Sequence, residues 1–252
     1  MNIDLTGKTA LITGASRGIG EAAARVMAGY GANVVLVARS TQDTARIASE
    51  IGDKALAVTC DVACYGDVEN AVAVAENGFG SLDIIVNNAG VIDPIVCIEH
   101  SDPEAWDQAV DINLKGVYHT MRAAIPAMKR RGGGTIINLA SGAAASALEG
   151  WSHYCATKAA VLALTRCAHK ECAPDNIRVI ALSPGTVATD MQRAIKTSGI
   201  NPVSELDWST HISPDWVGEA IAWLTTDAAR SYDGENFLLN KEEARRAVGL
   251  IT

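Results

Sequence analysis

The stretch Thr13-Gly14-Ala15-Ser16-Arg17-Gly18-Ile19-Gly20 decides the fold of this chain. It follows a short apolar run at residues 8–13 and opens residues 19–30, where apolar side chains recur at the i, i+3, i+4, i+7 spacing of a helix. Glycines let the backbone turn sharply and approach a pyrophosphate, and the N-terminus of a helix offers free N–H groups and a positive dipole end. A strand, a glycine turn and a helix in this order predict a phosphate-binding βαβ unit.

The remaining sequence alternates apolar runs and helical patterns in the same way. Further strands are predicted at residues 33–37, 55–59, 82–86, 135–139, 177–182 and 236–239, and the longest helices at residues 103–130 and 152–173. The strands are continuous apolar runs, which is typical of strands that helices cover on both faces. The sequence therefore predicts an α/β fold, a single domain over residues 1–252 with one doubly wound parallel sheet (a Rossmann fold). Residues 186–213 are irregular, either a mobile lid or a pair of helices, and residues 240–252 form a charged tail with a helical pattern.

The composition argues against several classes of partner. Of the 252 residues 48% are apolar and 20% are charged, and the net charge is −8. An acidic chain has no electrostatic attraction to nucleic acid or to an anionic membrane, so neither is expected as a partner. No signal peptide is visible, nor any apolar stretch near the roughly 20 residues of a membrane span, and we expect a cytoplasmic protein. The six cysteines form no CxxC pair and lie at no metal-ligand spacing with histidines, so we expect no metal site.

The residues that end the second predicted strand bear on the choice of dinucleotide. In NAD-binding units an acidic side chain about 20 residues beyond the glycines accepts hydrogen bonds from the adenosine ribose 2′-hydroxyl. This chain has Val37-Ala38-Arg39-Ser40 there, with no carboxylate to repel a phosphate. The guanidinium groups of Arg39 and Arg17 can bind a 2′-phosphate as a pair. The sequence thus predicts NADP(H) as the cofactor, preferred over NAD(H).

A tyrosine and a lysine stand one helical turn apart in Tyr154-Cys155-Ala156-Thr157-Lys158. Residues i and i+4 share one face of a helix, so the phenol and the ammonium can point to the same place. A free phenol has a pKa of about 10, and a nearby cation lowers it by stabilising the phenolate. The pair therefore indicates acid–base chemistry. His153 precedes the pair, but neighbours in a helix point elsewhere, so we do not expect it to be the base.

These motifs, together with five others in the same order, resemble the short-chain dehydrogenase/reductase family. The TGxxxGxG spacing at residues 13–20 and the YxxxK pair have the form that this family uses. The other matches are Cys60-Asp61-Val62, the NNAG motif Asn87-Asn88-Ala89-Gly90, Asn113 in the long helix, Ser141 at the end of the fifth strand, and Ser183-Pro184-Gly185-Thr186-Val187-Ala188-Thr189. The resemblance covers roughly residues 5–240.

The resemblance implies a catalytic set of Asn113, Ser141, Tyr154 and Lys158. Tyr154 would supply a proton to a carbonyl oxygen while a hydride moves from the nicotinamide to the carbonyl carbon, and Ser141 would donate a second hydrogen bond to that oxygen. Lys158 would bind the nicotinamide ribose and lower the pKa of Tyr154. Asn113 would order a water that links Lys158 to solvent. The cofactor-binding residues that the resemblance implies are Gly14, Ser16, Arg17, Gly18, Ile19, Gly20, Arg39, Asp61, Val62, Asn87, Ala89, Gly90, Tyr154, Lys158, Pro184, Gly185, Val187 and Thr189.

We therefore expect an NADP(H)-dependent oxidoreductase of the carbonyl reductase or alcohol dehydrogenase type, which interconverts a small-molecule ketone and a secondary alcohol. The alternatives are a 3-oxoacyl thioester reductase of the same family and a non-catalytic nucleotide-binding redox sensor, although a sensor would be free to lose part of the catalytic set. Apolar candidates for the walls of the substrate pocket are Ala143, Ala147, Leu148, Met191, Ile195, Ile200, Leu206 and Trp208.

The long helices also bear on assembly. Those that begin near residues 103 and 152 resemble the family's dimer-forming four-helix bundle, which implies a homotetramer or a dimer. The tail departs from the family at residues 240–246, where charged residues replace a glycine-rich turn.

Overall fold

A seven-stranded parallel sheet forms the centre of the structure, a computed structural model that describes residues 3–252. The strands are β1 Thr9–Thr13, β2 Asn33–Ala38, β3 Ala55–Thr59, β4 Ile84–Asn87, β5 Gly134–Leu139, β6 Ile177–Ser183 and β7 Asn236–Leu238. They lie in the order β3-β2-β1-β4-β5-β6-β7, and every neighbouring pair is parallel. The predicted doubly wound α/β fold is confirmed.

The described residues contain nine α-helices. They are α1 Gly18–Gly29, α2 Thr41–Ile51, α3 Tyr65–Phe79, α4 Pro103–Val110, α5 Gly116–Arg131, α6 Ser152–Cys172, α7 Asp190–Ser198, α8 Pro214–Leu224 and α9 Glu242–Val248. None of these helices is both long and apolar enough to cross a membrane. Helices α1 and α8 pack on one face, and α3, α5 and α6 pack on the other.

The two faces explain why the strands read as continuous apolar runs. Side chains alternate across a strand, so Leu11 of β1 belongs to the core under α3 and α5, whereas Ile12 belongs to the core under α1 and α8. Both side chains are 99% buried or more. Because both cores are apolar, neither set of positions in β1 can be polar, and the sequence shows no alternation.

The sheet reverses its order next to β1, and this reversal creates the crevice where ligands of such folds bind. Strand β2 lies on one side of β1 and β4 on the other, so the connections after β1 and β4 leave in opposite directions. In parallel α/β sheets the crevice at the carboxyl ends of the strands is the binding place. The glycine turn after β1 and the segments after β4, β5 and β6 therefore meet at one edge.

The long helix predicted at residues 103–130 is interrupted in the structure. A π-helical turn, Asp111–Lys115, separates α4 from α5 and contains Asn113. Asn113 is fully buried and both ends of its amide bond the backbone of Val91. These tertiary bonds place a wide turn in the helix, and π-turns inside helices often mark functional sites.

The irregular segment at residues 186–213 and the tail are both ordered. The segment holds α7 and two short 3₁₀ turns, Pro202–Glu205 and Trp208–Thr210, so it is closer to the predicted pair of helices than to an unstructured lid. The tail forms α9, and Ala244 and Val248 of this helix are buried in the core under α1 and α8.

Candidate active site

A cleft of about 940 Å³ lies along the carboxyl ends of the strands. Ligand pockets are typically about 300–1,000 Å³, so this cleft has room for a large ligand. Its lining runs from the end of β2 past the glycine turn to α6 and α7. Of the residues predicted to bind the cofactor, those that line it are Gly14, Ser16, Arg17, Gly18, Ile19, Arg39, Asp61, Val62, Ala89, Gly90, Tyr154, Lys158, Pro184 and Thr189.

The glycine turn is built against the end of β4. Gly14 has φ +64°, and a Cβ atom on it would lie 2.9 Å from both the Ala89 Cα and the Asn88 Nδ2. The Asn88 side chain donates to the carbonyls of Thr13 and Gly14 at 2.9 and 3.1 Å, and the Thr13 hydroxyl accepts from the Asn88 and Ala89 N–H groups at 3.0 Å each. Only glycine satisfies both the backbone angle and this close approach. The turn before α1 thus forms a cradle that fits a pyrophosphate.

The far end of the cleft carries two exposed arginines. Arg39 lies directly after β2 and makes no ion pair within the part of the chain that the structure describes. Arg17 lies 3.4 Å from Asp190, the first residue of α7, and both side chains are exposed. The Asp43 carboxylate also lines this end, where it accepts from the Ser40 hydroxyl at 2.6 Å. Residues 37–40 at the end of β2 thus supply one guanidinium group, and the Asp43 carboxylate lies at the same end of the cleft.

Tyr154 and Lys158 lie together in the wall of the cleft, on α6. They are 9% and 4% exposed, and the Lys158 Nζ lies 5.6 Å from the centre of the phenol ring. The ammonium donates to the carbonyl of Leu139, at the end of β5, at 2.7 Å. The predicted proximity of phenol and ammonium is present in the structure.

Burial shifts the pKa values of these two groups in opposite directions. It raises the pKa of Tyr154 to about 12, although a hydrogen bond with Ser141 acts to lower it. It lowers the pKa of Lys158 to about 8. The net shift of the Tyr154 pKa is upward because loss of water around the phenolate outweighs the other contributions, and the expected lowering by Lys158 stays a prediction. Tyr154 is therefore a protonated phenol at neutral pH.

Asn113, Gly90 and Lys158 come together behind Tyr154. The Asn113 Oδ1 accepts from the Val91 N–H at 2.8 Å, and its Nδ2 donates to the Val91 carbonyl at 2.9 Å. A Cβ atom on Gly90 would lie 3.3 Å from the Asn113 Oδ1 and 3.7 Å from the Lys158 Nζ. The amide of Asn113 thus holds the segment after β4 in place, with Gly90 between it and the ammonium.

Some predicted residues do not reach the lining of the cleft. These are Gly20, Asn87, Gly185 and Val187, together with Asn113 and Ser141 of the catalytic set. The Asn87 side chain is buried within the sheet, where its Nδ2 donates to the Asn138 Oδ1 at 2.8 Å and its Oδ1 accepts from the Thr120 hydroxyl. Its neighbour Asn88 holds the glycine turn instead, a role that the NNAG motif contained but that spacing alone could not assign.

An apolar cluster surrounds Tyr154 on the side of α7. Its buried members besides Tyr154 are Ile92, Ala143, Trp151 and Ile195, with Ile95, Leu148, Cys155, Met191 and Val203 packed against them. The Trp151 ring meets the phenol edge to face with ring centres 5.7 Å apart. Four predicted wall candidates, Ala143, Leu148, Met191 and Ile195, lie in this cluster, whereas Trp208 stacks on His211 outside it. In residues 3–252, no group of three side chains is arranged to hold a metal ion.

A doubly wound parallel sheet with a glycine-turn cradle at its switch point defines the class of dinucleotide-binding α/β proteins. Comparison with known sequences then identifies the family within this class. The family model described as short chain dehydrogenase matches residues 8–199. The chain belongs to this family and is an oxidoreductase, and the family resemblance inferred from the sequence motifs is confirmed.

The most similar relatives and structures include several reductases. A 3-oxoacyl-(acyl-carrier-protein) reductase FabG of Staphylococcus epidermidis is 34% identical over 238 residues, which cover 92% of this chain and 97% of the relative. An uncharacterised oxidoreductase of Staphylococcus saprophyticus is 34% identical over 89% of this chain and 92% of its own. The crystal structure of the 3-ketoacyl-(acyl-carrier-protein) reductase from Brucella melitensis complexed with NADH has TM-score 0.82 and 36% identity, covering 94% of this chain and 98% of that one. The KRED1-Pglu enzyme has TM-score 0.84 and 28% identity, covering 91% and 99%.

Proposed function

We propose that this oxidoreductase interconverts a ketone and a secondary alcohol with NADP(H) and that Tyr154 is the general acid and base. The observation that carries the proposal is the buried pair of Tyr154 and Lys158 in the wall of the cleft. Burial raises the pKa of Tyr154 to about 12, so the phenol holds a proton at neutral pH, and the proposal requires Lys158 and Ser141 to stabilise the phenolate when that proton leaves.

Each catalytic side chain has a separate task in this mechanism. The chemistry that a reduced nicotinamide supplies when bound is one hydride, whose two electrons form the new C–H bond at the carbonyl carbon. Tyr154 gives its proton to the carbonyl oxygen, and Ser141 donates a second hydrogen bond that stabilises the charge developing there. The positive charge of Lys158 stabilises the phenolate that Tyr154 becomes when it gives up its proton. Asn113 holds the backbone of Val91 in the wall behind Tyr154. In the oxidative direction Tyr154 takes the proton back from the alcohol.

Tyr154→Phe tests this assignment directly. Loss of the proton donor is expected to lower kcat by about 10²–10⁴-fold, the usual contribution of general acid catalysis, with cofactor binding unchanged. Consumption of NADPH with a panel of ketones measures kcat, and fluorescence titration measures cofactor affinity. Tyr232→Phe is the control, because Tyr232 lies in a separate aromatic cluster with Trp223 and Phe237. Near-normal turnover in Tyr154→Phe would exclude the mechanism.

The cofactor proposal rests on the charge at the end of β2. Exposed Arg39 and Arg17 can bind a 2′-phosphate, the glycine turn a pyrophosphate, and Asp61 and Val62 the adenine. The proposal also includes the predicted cofactor contacts of Gly20, Asn87, Gly185 and Val187.

Arg39→Asp tests the preference for NADP(H). Removing the guanidinium group and adding a carboxylate is expected to weaken NADPH binding by at least about tenfold and to improve NADH binding, since hydrogen bonds to charged groups are worth about 1.5–3 kcal/mol. Titration with both cofactors measures the ratio of affinities. Arg130→Asp makes the same charge change on exposed α5, away from the cleft, and is expected to leave that ratio unchanged. An unchanged ratio in Arg39→Asp would contradict the assignment.

Reduction of a 3-oxoacyl thioester is the second candidate. The curated reductase from Staphylococcus epidermidis and the Brucella melitensis enzyme carry that activity in their names. The apolar cluster beside Tyr154 suits an acyl chain as well as a simple hydrophobic ketone. A comparison of kcat/KM for a 3-oxoacyl thioester and for a ketone of similar size decides between the two. The single domain, the homo-oligomer and the cytoplasmic location stay predictions.

A further inference from the structure

His153 precedes Tyr154 on α6 and holds the backbone of the cleft wall. The residue is 1% exposed, and its Nε2 lies 2.8 Å from the Ile92 carbonyl oxygen. A carbonyl oxygen only accepts hydrogen bonds, so Nε2 carries the proton and donates it. Burial lowers the pKa of His153, although the bond to Ile92 and the Asp93 carboxylate act in the other direction. The imidazole is therefore a neutral donor with a fixed tautomer.

The bonded residue, Ile92, belongs to both the cleft and the apolar cluster. It is 3% exposed, lines the cleft, and packs in the same cluster as Tyr154 and Trp151. The preceding residue, Val91, is held by the two hydrogen bonds from Asn113. Two consecutive residues after β4 are thus held by side chains from two different elements, the π-helical turn and α6.

We propose that His153 is a positioning residue for the reaction, holding the Ile92 carbonyl and through it the wall against which the substrate and Tyr154 are aligned. The expected changes in kcat rest on the proposed function, whereas the expected changes in amide exchange do not. Helix α6 carries Tyr154 and, through His153, also bonds the backbone of Ile92, so this bond fixes the separation of Tyr154 and Ile92. Without this bond, Asn113 still holds Val91, but nothing from α6 bonds the backbone of Ile92.

The test compares variants that keep or lose the donor. His153→Leu fills similar space without a donor, and His153→Gln keeps an N–H donor at similar reach. We expect kcat to fall about 10- to 100-fold in His153→Leu, because a displacement near 1 Å can cost about 10²-fold, with little change in NADPH affinity. His153→Gln is expected to recover most of the loss. His153→Asn, a smaller residue whose amide is too short to reach Ile92, serves if the leucine variant does not fold.

His119 provides a matched control at the other end of the cleft. Its Nδ1 lies 2.8 Å from the carbonyl oxygen of Val62, which lines the predicted adenine end. His119→Leu removes the same kind of bond, and we expect it to raise KM for the cofactor more than it lowers kcat. For His153→Leu we expect the opposite pattern, in which kcat falls and KM for the cofactor stays unchanged.

Backbone amide exchange gives a readout that does not depend on turnover. Exchange at residues 92–97 is expected to accelerate in His153→Leu and to stay near the wild-type rate in His153→Gln, with α8 unchanged in both. The proposal is overturned if the donor-lacking variants keep wild-type kcat and exchange, or if His153→Gln is as impaired as His153→Leu. If the wild-type protein reduces no carbonyl compound, the proposed function fails, while the exchange data still decide whether His153 holds the wall.

Discussion

Lys158 is held in the wall of the cleft at a cost to stability. Its ammonium is 4% exposed, pairs with no carboxylate among the described residues, and has one hydrogen bond, to the Leu139 carbonyl. Burial lowers its pKa from 10.5 to about 8, and burial of the neighbouring phenol separately raises the pKa of Tyr154. A shift of one pKa unit corresponds to about 1.4 kcal/mol. Below pH 8, where Lys158 is charged in both the folded and the unfolded protein, its burial therefore lowers the free energy of unfolding by up to about 3 kcal/mol. Functional groups often persist at such a cost.

Lys158→Met is therefore expected to stabilise the protein at pH 7 while abolishing efficient turnover. The gain in the free energy of unfolding should be about 1–3 kcal/mol, reduced from the upper value because the Leu139 carbonyl loses its donor. The folded-state pKa of about 8 lies below the value of 10.5 in the unfolded chain, so between these pH values the unfolded state binds more protons and the wild type gains stability as pH rises. Denaturant unfolding at pH 7 and pH 10.5 measures the difference, which should shrink at the higher pH. A less stable methionine variant at pH 7 would refute this account.

At the scale of elements, the start of α5 packs directly on the segment after β3. Gly116 is the first residue of α5, and a Cβ atom on it would lie 2.8 Å from the Val62 Cγ2. Valine is stiff at χ1, so this side chain cannot turn away without a shift of the backbone. Since Val62 also lines the cleft, the contact between Gly116 and Val62 links the packing of α5 to the cleft where we propose that the cofactor binds.

Gly116→Ala is expected to lower the free energy of unfolding by about 1–3 kcal/mol, the usual range for overpacking, and to weaken NADPH binding. Thermal unfolding and a cofactor titration measure the two effects. Gly66→Ala is the matched control, because Gly66 lies in α3 with no atom within 4 Å of an added Cβ. That change should be neutral or add up to about 1 kcal/mol, as alanine is the better helix former. Equal effects of the two substitutions would show that the contact with Val62 carries no cost.

The same elements show where sequence reasoning succeeds and where it stops. Periodicity and the glycine turn predicted the strands and the parallel sheet, because burial on both faces leaves a local signature in every strand. The π-helical turn at Asn113 has no such signature, since it depends on bonds to Val91, a residue distant in the sequence. Spacing placed Tyr154 and Lys158 on one face, but only the buried surroundings could give the direction of their pKa shifts.

At the scale of the whole molecule, the tail closes the core under α1 and α8. Ala244 and Val248 of α9 are buried there, and the Arg245 guanidinium donates to the Leu239 carbonyl at 2.9 Å and lies 5.6 Å from the centre of the Trp216 ring. The helical pattern of the tail was readable from the sequence, whereas its docking on α8 was not, because charged residues such as Arg245 gave no sign of a buried face. Helix α9 is therefore a packed element of this fold.

The surface of α5 is where the predicted homo-oligomer can be tested. The family resemblance predicts that a second subunit packs on this helix, where Tyr118 is a large exposed side chain with 49% of its surface accessible. Tyr118→Glu places a charge in the predicted interface, and burial of an unpaired charge is costly, so we expect the predicted dimer or tetramer to dissociate. Light scattering coupled to size-exclusion chromatography measures the mass.

Ile98→Glu changes a residue that is 73% exposed and outside α4, α5 and α6, and should leave the mass unchanged. A monomeric wild type, or a Tyr118→Glu variant of unchanged mass, would contradict assembly through this helix.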